Sequence, residues 1–152
     1  MKRVVLAASF FIGFMLNQTQ LRAQDTSEKI LSTKVTQFFD AMAKRDSAQM
    51  RSFFYGNPSL ESIHKNKEGK SVFEAEVLDS FLTSVANIPT TLKFQERIDK
   101  TTVHQDGLIA VAWCEYTFIL NGKVSHTGVD VFTFAYINSD WKIIRLADSR
   151  RK

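Results

Sequence analysis

Two dipeptides, Asp106-Gly107 and Asn121-Gly122, each separate long runs of β-branched and aromatic residues. They constrain this chain more than any other feature. Such pairs favour two-residue type I′ hairpin turns, whose central residues both need positive φ. They divide residues 91 to 148 into strands over Thr91–His104, Leu108–Leu120, Lys123–Ile137 and Trp141–Asp148, with a looser third turn around Asn138-Ser139-Asp140. A chain with consecutive tight hairpins folds as an antiparallel meander.

Upstream, the period changes from two to about 3.6. Thr26 or Ser27 caps a helix whose apolar residues Ile30, Leu31, Val35, Phe38, Phe39 and Met42 recur at three- and four-residue spacing. Asp46, with Gln49 three residues later, opens a second, shorter helix that Gly56-Asn57-Pro58 stops. Ser59–Lys65 reads as a short strand, Asn66–Lys70 as a polar loop, and Ser71–Ala86 as a third helix burying Phe73, Val77, Leu78, Phe81 and Val85. Helices followed by a meander give an α+β fold: three N-terminal helices packed on one antiparallel sheet.

Hairpin register decides which side chains share a face. Pairing Leu120 with Lys123 sets Thr117 opposite His126, Glu115 opposite Gly128 and Trp113 opposite Asp130; pairing Gln105 with Leu108 sets Glu96 beside Thr117 and Lys100 beside Trp113. One face then gathers Glu96, Trp113, Glu115, His126 and Asp130, and the simplest last turn adds Asp148 beside Asp130. The same face turns apolar at Val111, Phe132, Phe134, Ile144 and Leu146, under the helices. The other face, with Ala112, Cys114, Tyr116, Val129 and Val131, is flat and apolar enough to predict a homodimer formed sheet against sheet.

Polar groups beneath helices either line a wet cavity or satisfy one another. The cavity reading makes Glu96, Trp113, Glu115, His126, Asp130, Phe132 and Asp148 a binding site for a small, partly apolar organic molecule. His126, Asp130 and Glu115 are then the candidates for acid–base catalysis, with a carboxylate raising the pKa of His126. The alternative is a structural network with Lys100–Asp130 as an ion pair and His126–Glu96 as a hydrogen bond. His126, Glu96 and Glu115 imitate a zinc set, but His64 and His104 lack matching spacing. No phosphate-binding glycine loop, G-x-S-x-G elbow or HExxH occurs, so neither metal nor cofactor is expected.

The N-terminus bears on location. Lys2 and Arg3 precede an uncharged stretch from Val4 to Leu16, and Leu21-Arg22-Ala23 offers a small residue before a polar sequence. That stretch is too short to span a bilayer, and the pattern predicts a signal peptide over residues 1–23, leaving 24–152 as one exported domain, periplasmic or secreted. Removing Lys2, Arg3 and Arg22 lowers the net charge from +4 to +1. With no basic face and interleaved aromatics, a nucleic-acid partner is not expected, nor is membrane attachment after cleavage. The single cysteine, Cys114, excludes an internal disulfide and reads as a small buried hydrophobe.

A long helix ending in Ala-Lys-Arg-Asp46, two further helices and a meander closing on Asp140-Trp141-Lys142-Ile143 resembles the nuclear transport factor 2-like superfamily. Ile109-Ala110-Val111-Ala112-Trp113, Asn121-Gly122-Lys123 and His126-Thr127-Gly128-Val129-Asp130-Val131-Phe132 are similar to its exported SnoaL-like and lumazine-binding-type members. The resemblance implies a cone-shaped, cystatin-like fold with helices wrapped on a bent sheet around a cavity, often dimeric through the sheet. Its ketosteroid isomerase branch uses a helix tyrosine where this chain has Phe38, and an aspartate base near Ser62, where neither Ser62 nor Glu61 matches. The isomerase mechanism therefore does not carry over, and fold alone does not decide function.

Overall fold

The computed structural model describes residues 27–151; the expected signal peptide lies outside them. A helix covering 27–43 (α1) leads into α2 (Ser47–Ser52), a hairpin of β1 (Ser59–Lys65) and β2 (Ser71–Val77), and α3 (Leu78–Ala86). Four long strands follow: β3 (Phe94–Asp106), β4 (Ile109–Leu120), β5 (Lys123–Ile137) and β6 (Asp140–Arg151). They form one six-stranded sheet in the order β2-β1-β6-β5-β4-β3. The pairings are antiparallel except β1 with β6, so the sheet is mixed rather than purely a meander.

Three helices pack on this sheet, but the third is shorter than its sequence pattern suggested. Residues 71–77 form β2, and helix begins only at Leu78. Val72, Glu74 and Glu76 alternate with Phe73, Ala75 and Val77, a period of two. The Asn66 side chain also closes the hairpin by accepting from the Glu68 and Lys70 amides at 3.0 Å each. Pairing to β1 overrides local helical propensity. Phe73 and Val77, expected in the core, are 63% and 50% exposed, and Ile30 on α1 also faces solvent.

The core lies between the helices and the lower half of the sheet. Phe38 is fully buried and meets Phe39, Phe53, Phe54 and Phe132 edge-on, with ring centroids 5.2 to 6.1 Å apart. These are the offset geometries that aromatic quadrupoles prefer. At its C-terminus α1 ends on Arg45 in the left-handed region (φ 62), closed by amide bonds from Arg45 to Met42 and from Asp46 to Ala41. This is a Schellman arrangement with arginine where glycine is usual. The Arg45 guanidinium offsets the strain by donating to the carbonyls of Ile88 and Pro89 (2.9 Å each) and Leu92, and it covers the Phe94 ring at 5.1 Å. Asp46 caps α2 as expected, accepting from the Gln49 amide at 2.9 Å.

Turn chemistry and bulges set the faces. Asn121-Gly122 forms the expected turn with both φ positive and Leu120 opposite Lys123. The first hairpin instead turns at Gly107-Leu108, with only Gly107 at positive φ and Asp106 opposite Ile109. A type II′ turn needs glycine first, so the loop moves one residue along. Asn138-Ser139 proves as tight as the others, both at positive φ, with Ile137 opposite Asp140, and the Ile144 bulge then brings Asp130 opposite Asp148, the pairing expected. Single extra residues at Asp99 in β3, Ser125 in β5 and Ile144 in β6 shift the register by one, and each such bulge exchanges the faces beyond it and bends the sheet.

Two substitutions probe this frame. Gly128 lies opposite Tyr116, and a Cβ there would collide with the Tyr116 ring and the Ser149 carbonyl. Gly128→Ala is expected to lower unfolding free energy by about 2 kcal/mol or more in urea titration, as overpacking against backbone does. Arg45→Ala should cost about 2 kcal/mol through its carbonyl bonds, and Arg45→Lys should recover less than half, because one ammonium cannot span three carbonyls.

Candidate functional site

A cavity of about 710 Å³ opens between the helices and the upper half of the sheet. Phe38, Phe39 and Met42 of α1 and Phe81 and Val85 of α3 form one wall; Phe94, Tyr116 and Phe118 form the aromatic part of the sheet side. Glu74 and Glu76 stand exposed on β2 at the mouth, and the segment 87–93 tied down by Arg45 contributes Ile88 and Leu92 to the rim.

Of the residues singled out in the sequence, Glu96, His126, Asp130 and Asp148 line this cavity. Trp113 and Glu115 do not: both are on the outer face, Trp113 half exposed and Glu115 exposed. The bulges are the reason. With Ser125 looped out, Asp130 opposes Cys114, while Trp113 opposes Val131 and Glu115 opposes Val129; with the first turn moved to Gly107-Leu108 and Asp99 looped out, Glu96 opposes Phe118 rather than Thr117. Ala112, Cys114 and Tyr116, expected outside, are buried within. Lys100 pairs across from Glu115, so the Lys100–Asp130 ion pair of the alternative, structural-network reading is not formed. Phe132 is fully buried against Phe38 and Phe39 and belongs to the core beneath the cavity.

Tyr116, Phe118, Ser62 and Arg150 complete the lining and were missed. The signal was present in β4. Ala110, Ala112, Cys114, Tyr116 and Phe118 form an unbroken apolar alternation, whereas the intervening set contains Glu115 and Thr117. Following that alternation, rather than counting from the turns, selects the inner face.

The chemistry concentrates on Asp130. Its side chain is 4% exposed, and Oδ2 accepts from no N–H or hydroxyl among the described residues. What it meets is the Glu96 carboxyl, with Asp148 close by. Two carboxylates cannot both stay ionised in so dry a place, so the pair holds a proton. Burial pushes Asp130 well above the usual carboxylate range, with the Glu96 charge adding to it. Burial also raises Glu96, to about 7, against the opposing hydrogen bond to Asp130; Asp148 raises it further and Arg150 lowers it. Arg150 bonds Asp148 at 3.1 Å. The same burial pushes Cys114 up to about 12, leaving it a neutral thiol.

His126 differs from expectation. Its ring stacks on Phe118 (centroids 4.9 Å, 18° between planes) and meets Tyr116 edge-on, with Nδ1 3.2 Å from the Ser125 hydroxyl. Burial chiefly, and then Arg150, lower its pKa, with Asp148 opposing, so the imidazole is neutral near pH 7 instead of being held protonated by a carboxylate. Among the described residues no set of three His, Cys, Asp or Glu side chains is grouped to hold a metal ion.

Because Glu96 and Asp130 bind a proton more tightly when folded than unfolded, their contribution is full at low pH; that of Glu96 is lost as pH rises from about 4.5 through about 7, and that of Asp130 as pH rises through its own raised range. Lowered His126 acts in the opposite sense. Urea unfolding between pH 5 and pH 8 should therefore show Glu96→Gln gaining stability over the native chain by on the order of 2 kcal/mol at the alkaline end, with little gain at pH 5.

Comparison with known proteins agrees with this architecture. A family model described as "putative lumazine-binding" matches residues 26–146. No curated protein matches the chain. Among solved structures, a nuclear transport factor 2-like superfamily protein from Salmonella enterica is 20% identical, with TM-score 0.65 over 85% of this chain and 94% of that one. A "putative dehydratase" of the same superfamily from Streptomyces avermitilis is 17% identical, with TM-score 0.63 over 85% and 99%. The β subunit of a "putative aromatic-ring-hydroxylating dioxygenase" from Novosphingobium aromaticivorans is 9% identical, with TM-score 0.69 over 86% and 92%. At these identities the structures establish a shared nuclear transport factor 2-like fold, and the model's span across most of the chain establishes the family: this protein belongs to the "putative lumazine-binding" family.

Proposed function

We propose that the domain binds a small, partly apolar organic molecule in the cavity between its helices and its sheet. The observation that carries this is a largely apolar cavity lined at a few points by incompletely partnered polar groups, Ser62 and Asp130 among them. Both residues line the cavity; Ser62 Oγ is buried with no hydrogen-bond partner among the described groups, and the buried Asp130 Oδ2 has no partner beyond the Glu96 carboxyl. Buried polar atoms without partners cost about 1–3 kcal/mol each, a cost that a ligand supplying those bonds removes. The volume suits a drug-sized molecule, and the family's description names lumazine, a flat bicyclic compound.

Acid–base catalysis in the same space is the second reading, favoured by the carboxyl pair. A Glu96 that titrates near 7 is suited to exchange protons with a bound substrate, as in a lyase, isomerase or hydrolase. Asp130 keeps its place among the catalytic candidates. His126 keeps its place too, as a neutral base. Glu115 faces away from the cavity. The remaining alternative, a non-catalytic interaction module of the cell envelope, makes no use of an open cavity.

Export through a leader over residues 1–23, into the periplasm or the medium, belongs to the same proposal. So does a homodimer through the outer sheet face, where Trp113 stands half exposed; a monomeric mass in sedimentation at micromolar concentration would remove it.

The binding reading is tested with an uncharged, polarity-sensitive naphthalene dye. One equivalent should bind with a blue-shifted emission, and Leu92→Trp at the rim should weaken binding about tenfold or more while leaving the fold intact. A native protein that takes up no dye, and no compound from a metabolite panel by native mass spectrometry, would sink the reading.

A further inference from the structure

We propose that the ligand is an organic cation: a protonated amine or amidine on a flat apolar body, with its N–H groups on Asp130 and Glu96. This rests on the cavity being a ligand site and adds the charge that the ligand must carry.

The lining is strongly unbalanced. Glu74 and Glu76 stand at the mouth, and Glu96, Asp130 and Asp148 lie inside, against a single guanidinium, that of Arg150. Arg150 is already committed to Asp148 at 3.1 Å. Glu61, also at the cavity, is bound by Arg145. An anion entering here finds no free cation and faces the carboxyl pair. Asp130 adds direction to charge, since it lines the cavity, is 4% exposed, and its Oδ2 has no N–H donor among the described residues, only the Glu96 carboxyl beside it. Charge-assisted bonds of this kind are about twice as strong as neutral ones. The aromatic faces of Phe94 and Phe118, stacked with centroids 6.1 Å apart, suit the flat remainder of such a molecule.

The proton balance follows. Without ligand and above about pH 7, Glu96 and Asp130 share one proton. A cation that takes its place sends that proton to solvent, leaving two carboxylates and one ammonium. The groups facing the pair are Cys114 and Tyr116 from β4, His126 from β5, and Asp148 and Arg150 from β6. Cys114 and Tyr116 stay protonated because burial raises both, and His126 is neutral near pH 7. Amine affinity should therefore rise as pH rises through about 7, where Glu96 titrates, and the binding of an uncharged analogue should not.

Three probes of one shape separate the outcomes: 1-naphthylmethylamine, 1-naphthylmethanol and 1-naphthoate, titrated calorimetrically into the protein at pH 6 and pH 8. The expected order at pH 8 is amine about tenfold tighter than alcohol, with naphthoate weakest. At pH 6 the amine's advantage should narrow, and its heat should depend on buffer in the sense of proton release. Asp130→Asn and Glu96→Gln should each bring the amine-to-alcohol ratio below about threefold while alcohol binding persists. Alcohol or naphthoate binding as tightly as amine overturns the charge assignment and leaves the cavity reading standing. An amine preference that survives both variants overturns the assignment to this pair. If none of the three binds and the naphthalene dye fails as well, the cavity reading falls first and this inference with it.

Discussion

A β-strand shows alternate residues to opposite sides, and one inserted residue reverses the assignment for everything beyond it. Here that constraint decides what the cavity contains. Asp99 and Ser125 are the inserted residues in β3 and β5, and between them they determine that Glu96, Phe118, Tyr116 and Asp130 face the helices while Trp113, Glu115 and Thr117 face outward. The Asp99 bulge is held on the outside by its own bonds: its carboxylate accepts from Thr117 Oγ1 at 2.6 Å and from Arg97 Nε at 2.8 Å. Hydrogen bonding from Thr117 first, then Arg97, keeps Asp99 ionised below its ordinary range. A polar cluster on the solvent side thus fixes the order of side chains on the other.

The aromatic and acidic halves of the inner face do different work. Below, Phe38, Phe132, Phe134 and Leu31 pack without exposure and bind the helices to the sheet. Above, Gly128 leaves room for Tyr116 to lie flat across β5, so the sheet is open there rather than filled. The Glu96–Asp130 pair sits at the boundary, where the dry core supplies the low dielectric and the cavity supplies the opening. A well-packed apolar pair would suit stability better at that position. Its presence is a cost to the fold.

Much of this plan is legible in the residues. The glycine turn at Asn121-Gly122, the Asp46 cap, the helix of 27–43 and the α+β order all follow from local chemistry, whereas Asp130 meets Asp148 as expected only because the Ile144 bulge offsets a turn one residue shorter than read. The bulges do not, because nothing in Ser125 or Asp99 alone marks an extra residue; only the competition between the two alternating sets in β4 does. The Ser71–Val77 segment carries both periods, and its partner in β1 decides between them. The carboxyl pair was within reach as two residues of a cluster, whereas its shared proton depends on burial, which a sequence does not display. His126 illustrates the same gap: proximity to acids suggested a raised pKa, and desolvation with Arg150 nearby reverses it.

The sheet order has a consequence for how the chain reaches this state. The last described strand, β6, is not at an edge but is flanked by β5 on one side and by β1, in parallel, on the other. The β1–β2 hairpin emerges early in synthesis yet has no sheet to join until β6 arrives some eighty residues later. Contacts this distant in sequence close slowly, so the two halves remain unassembled while the ribosome finishes. A chain with this strand order cannot close its sheet before the last described strand is made, so its assembly is governed by its C-terminal end.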